Sequence, residues 1–150
     1  RDDAPDARKY QVPLFEDPSD KGTDDPLIPP DFDKSSVYNL VGTSYNLNDH
    51  ALDDRQGDET YPTLIPKRGG RMPNIANPSR TWVLGDQPIY NYDDNGDRQQ
   101  RWHFQQVRAT LLFADTHVDG GVSIEKGIVN DTPRYSFLPR PDWIENPPPQ

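Results

Sequence analysis

An α+β or mainly β fold, a small antiparallel sheet with long proline-rich loops and little helix, is predicted by three observations. Two segments in the last third of the chain carry strand-like apolar patterns on either side of a short turn. No segment carries a convincing apolar stripe at helical spacing. Proline accounts for 17 of the 150 residues. Proline fixes φ and removes a backbone donor, so "DDPLIPPDF" and the terminal "NPPPQ" can be neither helix interior nor central strand. With 31% hydrophobic residues, the chain can build one modest core in one domain.

Each element follows from a local pattern. Residues 1–12 are a polar N-terminal segment with no apolar face to hold a helix against a core. In "SVYNLVGTSYNLN", residues 36–48, Gly42 interrupts an apolar run, which predicts an extended or bulged segment rather than a helix. The run Trp82, Val83, Leu84 in "RTWVLGDQPIY" suits a short buried strand ending near Pro88. In "VRATLLFAD", Val107, Ala109, Leu111 and Phe113 alternate with Arg108, Thr110, Leu112 and Ala114, the period of a half-buried strand. "HVDGGVSIEKG" returns after a turn at Asp115–Thr116, short enough for a hairpin. The domain is expected over residues 13–134. Residues 135–150 form a proline-rich strap whose Phe137, Leu138, Trp143 and Ile144 are too apolar to float freely, so it should drape over the domain or a neighbour.

Charge and composition exclude several functions. Sixteen basic against 25 acidic residues give a net charge of -9, the wrong sign for a nucleic-acid partner. No cysteine is present, so neither a disulfide nor a thiolate zinc site can form. No run of about 20 apolar residues spans a bilayer, and no signal peptide opens the chain. Arg1 in place of methionine reads as the start of a processed product or of the soluble part of something longer.

Two groups of residues have the chemistry of metal ligands. In "NYDDNGDRQQ", Asp93, Asn95 and Asp97 alternate around Gly96, so three oxygens can face a calcium ion. The segment lacks the roughly 12-residue loop and closing glutamate of an EF-hand, and its ordinary reading is an exposed hairpin tip rich in turn formers. Asp115, His117 and Asp119 follow the strand at every second position. Asp86, His103, Asp115 and His117 would make a zinc site of two histidines and a carboxylate only if they converge. Otherwise Asp115 is a turn residue accepting hydrogen bonds from backbone amides. No Gly-x-Ser-x-Gly elbow is present, and "RGGRMP" lacks the rest of a phosphate loop. A non-enzymatic role is therefore expected. Tyr38, Tyr45, Tyr61, Tyr90, Tyr92, Tyr135 and Trp143 are candidates to line a protein or glycan groove.

Four segments, in order, resemble motifs of one family. "PLFEDPSDKG" is similar to a "CPSD" segment, "GTSYNLN" to "SYxxN", "NIANPSRTWVLGDQ" to "PSxTxLLAD", and "RWHFQQVRATLLFADTHVDG" to "RHxxxxNVLFADGHV". These belong to the prepilin-type processing-associated proteins, pseudopilin-like chains named for a histidine, nine residues and Asp-Gly. The resemblance spans residues 13–121, with three departures. Asp17 replaces the cysteine, eleven residues separate His103 from Asp115, and Thr116 replaces the glycine. The family's N-terminal hydrophobic helix is not in the sequence, and is expected to have been removed, to lie outside this chain or to come from another chain. What the resemblance implies is the head of a pilin-type subunit, a structural or interaction component of a pilus-like or type II secretion-like assembly. It would sit at the periplasmic face, the cell surface or outside a bacterium. Its partners would be other pilin-like subunits or a separate hydrophobic-helix chain. A head without its covering helix should expose an apolar sheet face, with Trp82, Leu84, Leu111, Phe113 and Trp143 the expected partner-facing residues, although a closed core would use the same side chains. The alternatives are a secreted, calcium-stabilised protein- or glycan-binding module and a metal-dependent hydrolase.

Overall fold

A computed structural model describes residues 12–25, 28–48, 75–93, 101–128 and 132–139. Helix is scarce and the sheet is antiparallel, as the proline content and the alternation predict. A five-residue helix α1 (Val37–Val41) is followed by strands β1 (Tyr45–Leu47), β2 (Trp82–Asp86), β3 (Arg101–Trp102), β4 (Gln105–Gln106), β5 (Arg108–Phe113) and β6 (Val118–Ser123). Four of these form one sheet in the order β1-β2-β5-β6, and β3 pairs with β4 in a separate hairpin. Short 3-10 segments occupy Pro13–Phe15 and Gln87–Tyr92.

The strands at β2, β5 and β6 lie where the sequence pattern puts them, and β5 turns into β6 through Asp115 and Thr116. Phe113 and Thr116 close that turn, the Thr116 amide donating to the Phe113 carbonyl at 2.9 Å. Helix α1 corrects the expectation of an extended segment. Its ends are capped from outside the apolar run, so five residues suffice. Ser36 Oγ accepts from the Asn39 amide, and Gly42 takes the left-handed conformation at φ 86° that ends a helix without a Cβ clash. Asp20, distant in sequence, accepts from the Val37 and Tyr38 amides at 3.0 and 2.8 Å. Those are two of the donors that a helix start leaves unpaired.

The core lies on one face of the sheet. Trp82, Ala109, Leu111, Phe113 and Val122 from the strands pack with Ile89, Ile124, Tyr135 and Phe137. Phe137 meets the edge of Trp82 at 5.3 Å and of Tyr92 at 4.8 Å between ring centroids, the T-shaped packing that aromatic quadrupoles favour. Residues 135–138, expected to begin a strap, are thus part of the core, and the packing does not end at residue 134. Their backbone is tied in as well. Ser136 bridges Thr81 in parallel, and the buried Asn48 amide donates to the carbonyls of both Trp82 and Phe137 at 2.9 Å. Trp82, Leu111 and Phe113 are at most 2% exposed. The expectation that they face a partner is corrected, because Tyr135 and Phe137 of the same chain already cover them.

On the opposite face, register aligns a row of aliphatic side chains. Leu47 stands opposite Leu84, Leu84 opposite Leu112, and Leu112 opposite Val118. Residues directly opposite in an antiparallel pair project on the same side, so the row crosses all four strands. Leu47 is 64% and Val118 61% exposed. Beside it, Phe15, Thr43, Tyr45, Leu47 and Leu84 line an open groove of about 440 Å³.

Candidate functional site

At the other end of that face, three segments bring Asp17, Asp86 and His103 together. Asp17 comes from the turn after Pro13–Phe15, Asp86 from the last position of β2, and His103 from the β3–β4 hairpin. A carboxylate oxygen of each aspartate and a ring nitrogen of His103 lie within 4.8 Å of one another. His103 Nε2 is 3.0 Å from Asp86 Oδ2 and 3.3 Å from Asp17 Oδ2. The other ring nitrogen, Nδ1, shares a hydrogen bond with Ser19 Oγ at 2.9 Å.

Local sequence explains how each group is held. Asp17 Oδ1 accepts from the Ser19 amide at 2.7 Å, the closed turn that aspartate makes with the backbone two residues on. The segment is fixed further along by Asp20, whose two oxygens accept from the Gly22, Val37 and Tyr38 amides and from the Ser36 and Ser44 hydroxyls. Gly22 makes the tight return possible, since at φ +74° a Cβ there would stand 1.7 Å from the Lys34 carbonyl oxygen. Asp86 is fully buried and accepts from the Thr110 amide at 3.0 Å.

His103 sits in a costly conformation. It and Phe104 form the two-residue loop between β3 and β4, with φ values of 48° and 60°. Such loops need left-handed backbone at both positions and are normally filled by Asn, Asp or Gly. A non-glycine residue there costs on the order of 1–3 kcal/mol. Phe104 is 98% exposed, so its side chain does not offset that cost. The contacts of His103 do, together with Trp102, whose full burial anchors the hairpin.

The electrostatics are unbalanced. Burial pushes the Asp86 carboxyl up to about 6, against the Thr110 amide and His103, which pull it down, and with help from the nearby charge of Asp17. Burial also raises the Tyr45 hydroxyl, with Asp17 and Asp86 adding to it. Asp20 shows the contrary case. Burial works to raise it, but the Tyr38, Val37 and Gly22 amides and the Ser44 hydroxyl outweigh burial and hold it below the usual carboxylate value.

The structure therefore joins two of the four expected zinc ligands and separates the others. Asp86 and His103 meet, while Asp115 and His117 pair with each other at the β5–β6 turn, Asp115 Oδ1 to His117 Nδ1 at 2.5 Å. Asp115 also accepts from the His117 amide. This is the turn role, and the side-chain hydrogen bond from His117 holds Asp115 below the ordinary carboxylate range. Asp119 pairs with Arg134 at 2.6 Å. Among the expected calcium ligands, Asp93 follows the 3-10 segment with its amide donating to Tyr90, and Asn95 and Asp97 lie outside the described residues, as do Tyr61 and Trp143. Asp17 is the member that sequence reading missed. Nothing in its local sequence sets it apart from the other acids, because only the fold carries it to His103.

Comparison with protein-family models, with curated proteins and with solved structures gives no match.

Proposed function

We propose that the chain is a non-enzymatic structural or interaction subunit of a pilus-like or type II secretion-like assembly, located outside the inner membrane of a bacterium. The observation that carries this reading is the aliphatic row Leu47–Leu84–Leu112–Val118 on the sheet face opposite the core. Three strand-to-strand steps of about 4.8 Å make it roughly 14 Å wide, a fit for one helix of about 10–12 Å diameter. A hydrophobic helix of a pilin-like subunit, or of a separate chain, laid across it would bury the row and the groove beside it. No helix among the described residues is long and apolar enough to cross a membrane.

The resemblance gives independent support through position. Each of the four similar segments contributes at least one polar residue held by hydrogen bonds. Asp20 accepts from Ser44, Asn48 clamps β2 to Phe137, and Asp86 faces His103.

The test places charge on the row where it is most exposed. Leu47→Lys with Val118→Lys leaves the isolated chain folded and removes it from the assembled, sedimentable fraction of cells that produce it. A double variant that assembles as the original chain does would exclude the row as the docking face.

A further inference from the structure

We infer that Asp17, Asp86 and His103 bind a first-row divalent transition metal, with zinc the expected occupant, and that the ion locks the N-terminal segment onto the end of the sheet. The inference is independent of the docking row and concerns residues with no part in it.

Geometry is the first support. Zinc bonds of about 2.0–2.1 Å to nitrogen and oxygen in a tetrahedron place neighbouring ligand atoms roughly 3.3 Å apart. The two measured edges, His103 Nε2 to Asp17 Oδ2 at 3.3 Å and to Asp86 Oδ2 at 3.0 Å, are close to that spacing. Beyond one backbone amide each, the two carboxylates share one partner. Asp17 is 5% exposed and Asp86 0%, and both direct an oxygen at the same ring nitrogen. One N–H donates along one direction, so a single imidazole cannot serve two buried carboxylates, and a protonated ring still leaves one negative charge in excess. A divalent cation at their common focus neutralises both.

The surroundings are those of held ligands. With the ring proton on Nδ1 donated to Ser19 Oγ, Nε2 presents its lone pair toward the carboxylates. The Thr110 amide fixes Asp86 and the Ser19 amide fixes Asp17. An outer hydrogen bond on every ligand is what orients metal sites and sets their affinity. The strained His103–Phe104 loop, whose φ values are 48° and 60°, is explained by the same requirement, because it is the loop that delivers His103.

Ligand chemistry selects the ion. One imidazole and two carboxylates suit zinc and its neighbours, whereas calcium and magnesium take oxygen ligands. The His103 side chain is 38% exposed, which leaves a path for the ion and a position for water as a further ligand. Three segments separated by up to 86 positions in sequence, 17 to 103, would then be joined at one point in a chain that has no cysteine to cross-link it.

Cobalt(II) is the probe, since its visible absorption reports coordination directly, and zinc is the competitor. Titration of the metal-stripped 150-residue chain should show one equivalent bound and displaced by zinc. His103→Gln and Asp17→Asn should abolish the signal, and His117→Gln should leave it unchanged. Ser19→Ala, which removes no ligand and keeps the fold, should weaken affinity by about 10–100-fold. Absence of a stoichiometric signal in the unsubstituted chain would overturn the inference. So would loss of the signal in His117→Gln, or unchanged affinity in Ser19→Ala.

Discussion

On one face of the four-stranded sheet Trp82, Leu111 and Phe113 are at most 2% exposed, while on the other Leu47 and Val118 keep 64% and 61% of their surface. Strands β2 and β5 also carry Leu84 and Leu112 on the second face, so alternation alone does not decide which side becomes core. The decision comes from what else the chain brings. Ile89, Ile124, Tyr135 and Phe137 all arrive on one side, while on the other, among the described residues, Phe15 lines the groove beside Leu47 and Leu84 and Asp17 meets Asp86 and His103. Apolar residues in a strand thus identify a face to be covered, and the covering segment has to be found separately.

The largest effect should come from uncovering the finished face. Truncation after Arg134 removes Tyr135, Phe137 and Leu138, each worth about 1.5–3 kcal/mol of burial, from a domain whose whole stability is expected to be about 5–15 kcal/mol. Thermal unfolding of the shortened chain should lose its cooperative transition. Phe137→Ala alone should cost about 3–5 kcal/mol, read by denaturant unfolding.

A smaller effect belongs to the frame that holds the N-terminal segment. Asp20→Ala strands three backbone donors and two hydroxyls and should cost about 1–3 kcal/mol. Acid should expose the same dependence. Asp20 is held below the ordinary value of 3.8, so its contribution is present above that pH and is lost as pH falls through the lower, folded value. Asp86 has the opposite sign. Its carboxyl, raised to about 6, binds a proton in the folded chain before the unfolded chain does. Stability in metal-free buffer should therefore increase as pH falls from about 6 toward 3.8 and decrease below that. Asp86→Asn should remove the increase, and Asp20→Asn should make the decrease shallower. A melting temperature that falls steadily from pH 7 to 4 would contradict the Asp86 assignment, and one that does not fall below pH 3.8 would contradict the Asp20 assignment.

The smallest effect on stability should lie at Leu47 and Val118, which are 64% and 61% exposed. Leu47→Ser and Val118→Ser should each change unfolding free energy by no more than about 0.5 kcal/mol, as exposed positions do. A cost of several kcal/mol would mean that the row is part of this chain's own packing.

Much of the fold was legible because it is local. Val107 to Phe113 alternate, Trp82 to Leu84 form a compact apolar run, and Asp115–Thr116 carry turn chemistry, and each became the expected strand or turn. Helix α1 was hidden because its start is capped by Asp20, which lies 17 positions before Val37. The β3–β4 hairpin was hidden because His103 and Phe104 fill a loop that turn preferences give to glycine and asparagine. The candidate site was half legible. The chemistry of Asp86 and His103 marks them as ligands, and it marks His117 equally, because spacing cannot show that the β5–β6 turn carries it to a different corner. Asp17 was passed over as one acid among 25 acidic residues, since only the folded chain places it beside His103.

The proposed docking face is tested most directly where assembled and isolated chains should differ. A photo-reactive residue at Leu112, inside the row, and a control at Arg134, exposed beside the covered face, can be cross-linked in cells that make the protein and the linked peptides identified. The account predicts that position 112 links to the apolar helix of a pilin-like subunit and that position 134 does not. Assembled protein in which position 112 remains unlinked, or in which both positions give the same adducts, would contradict it.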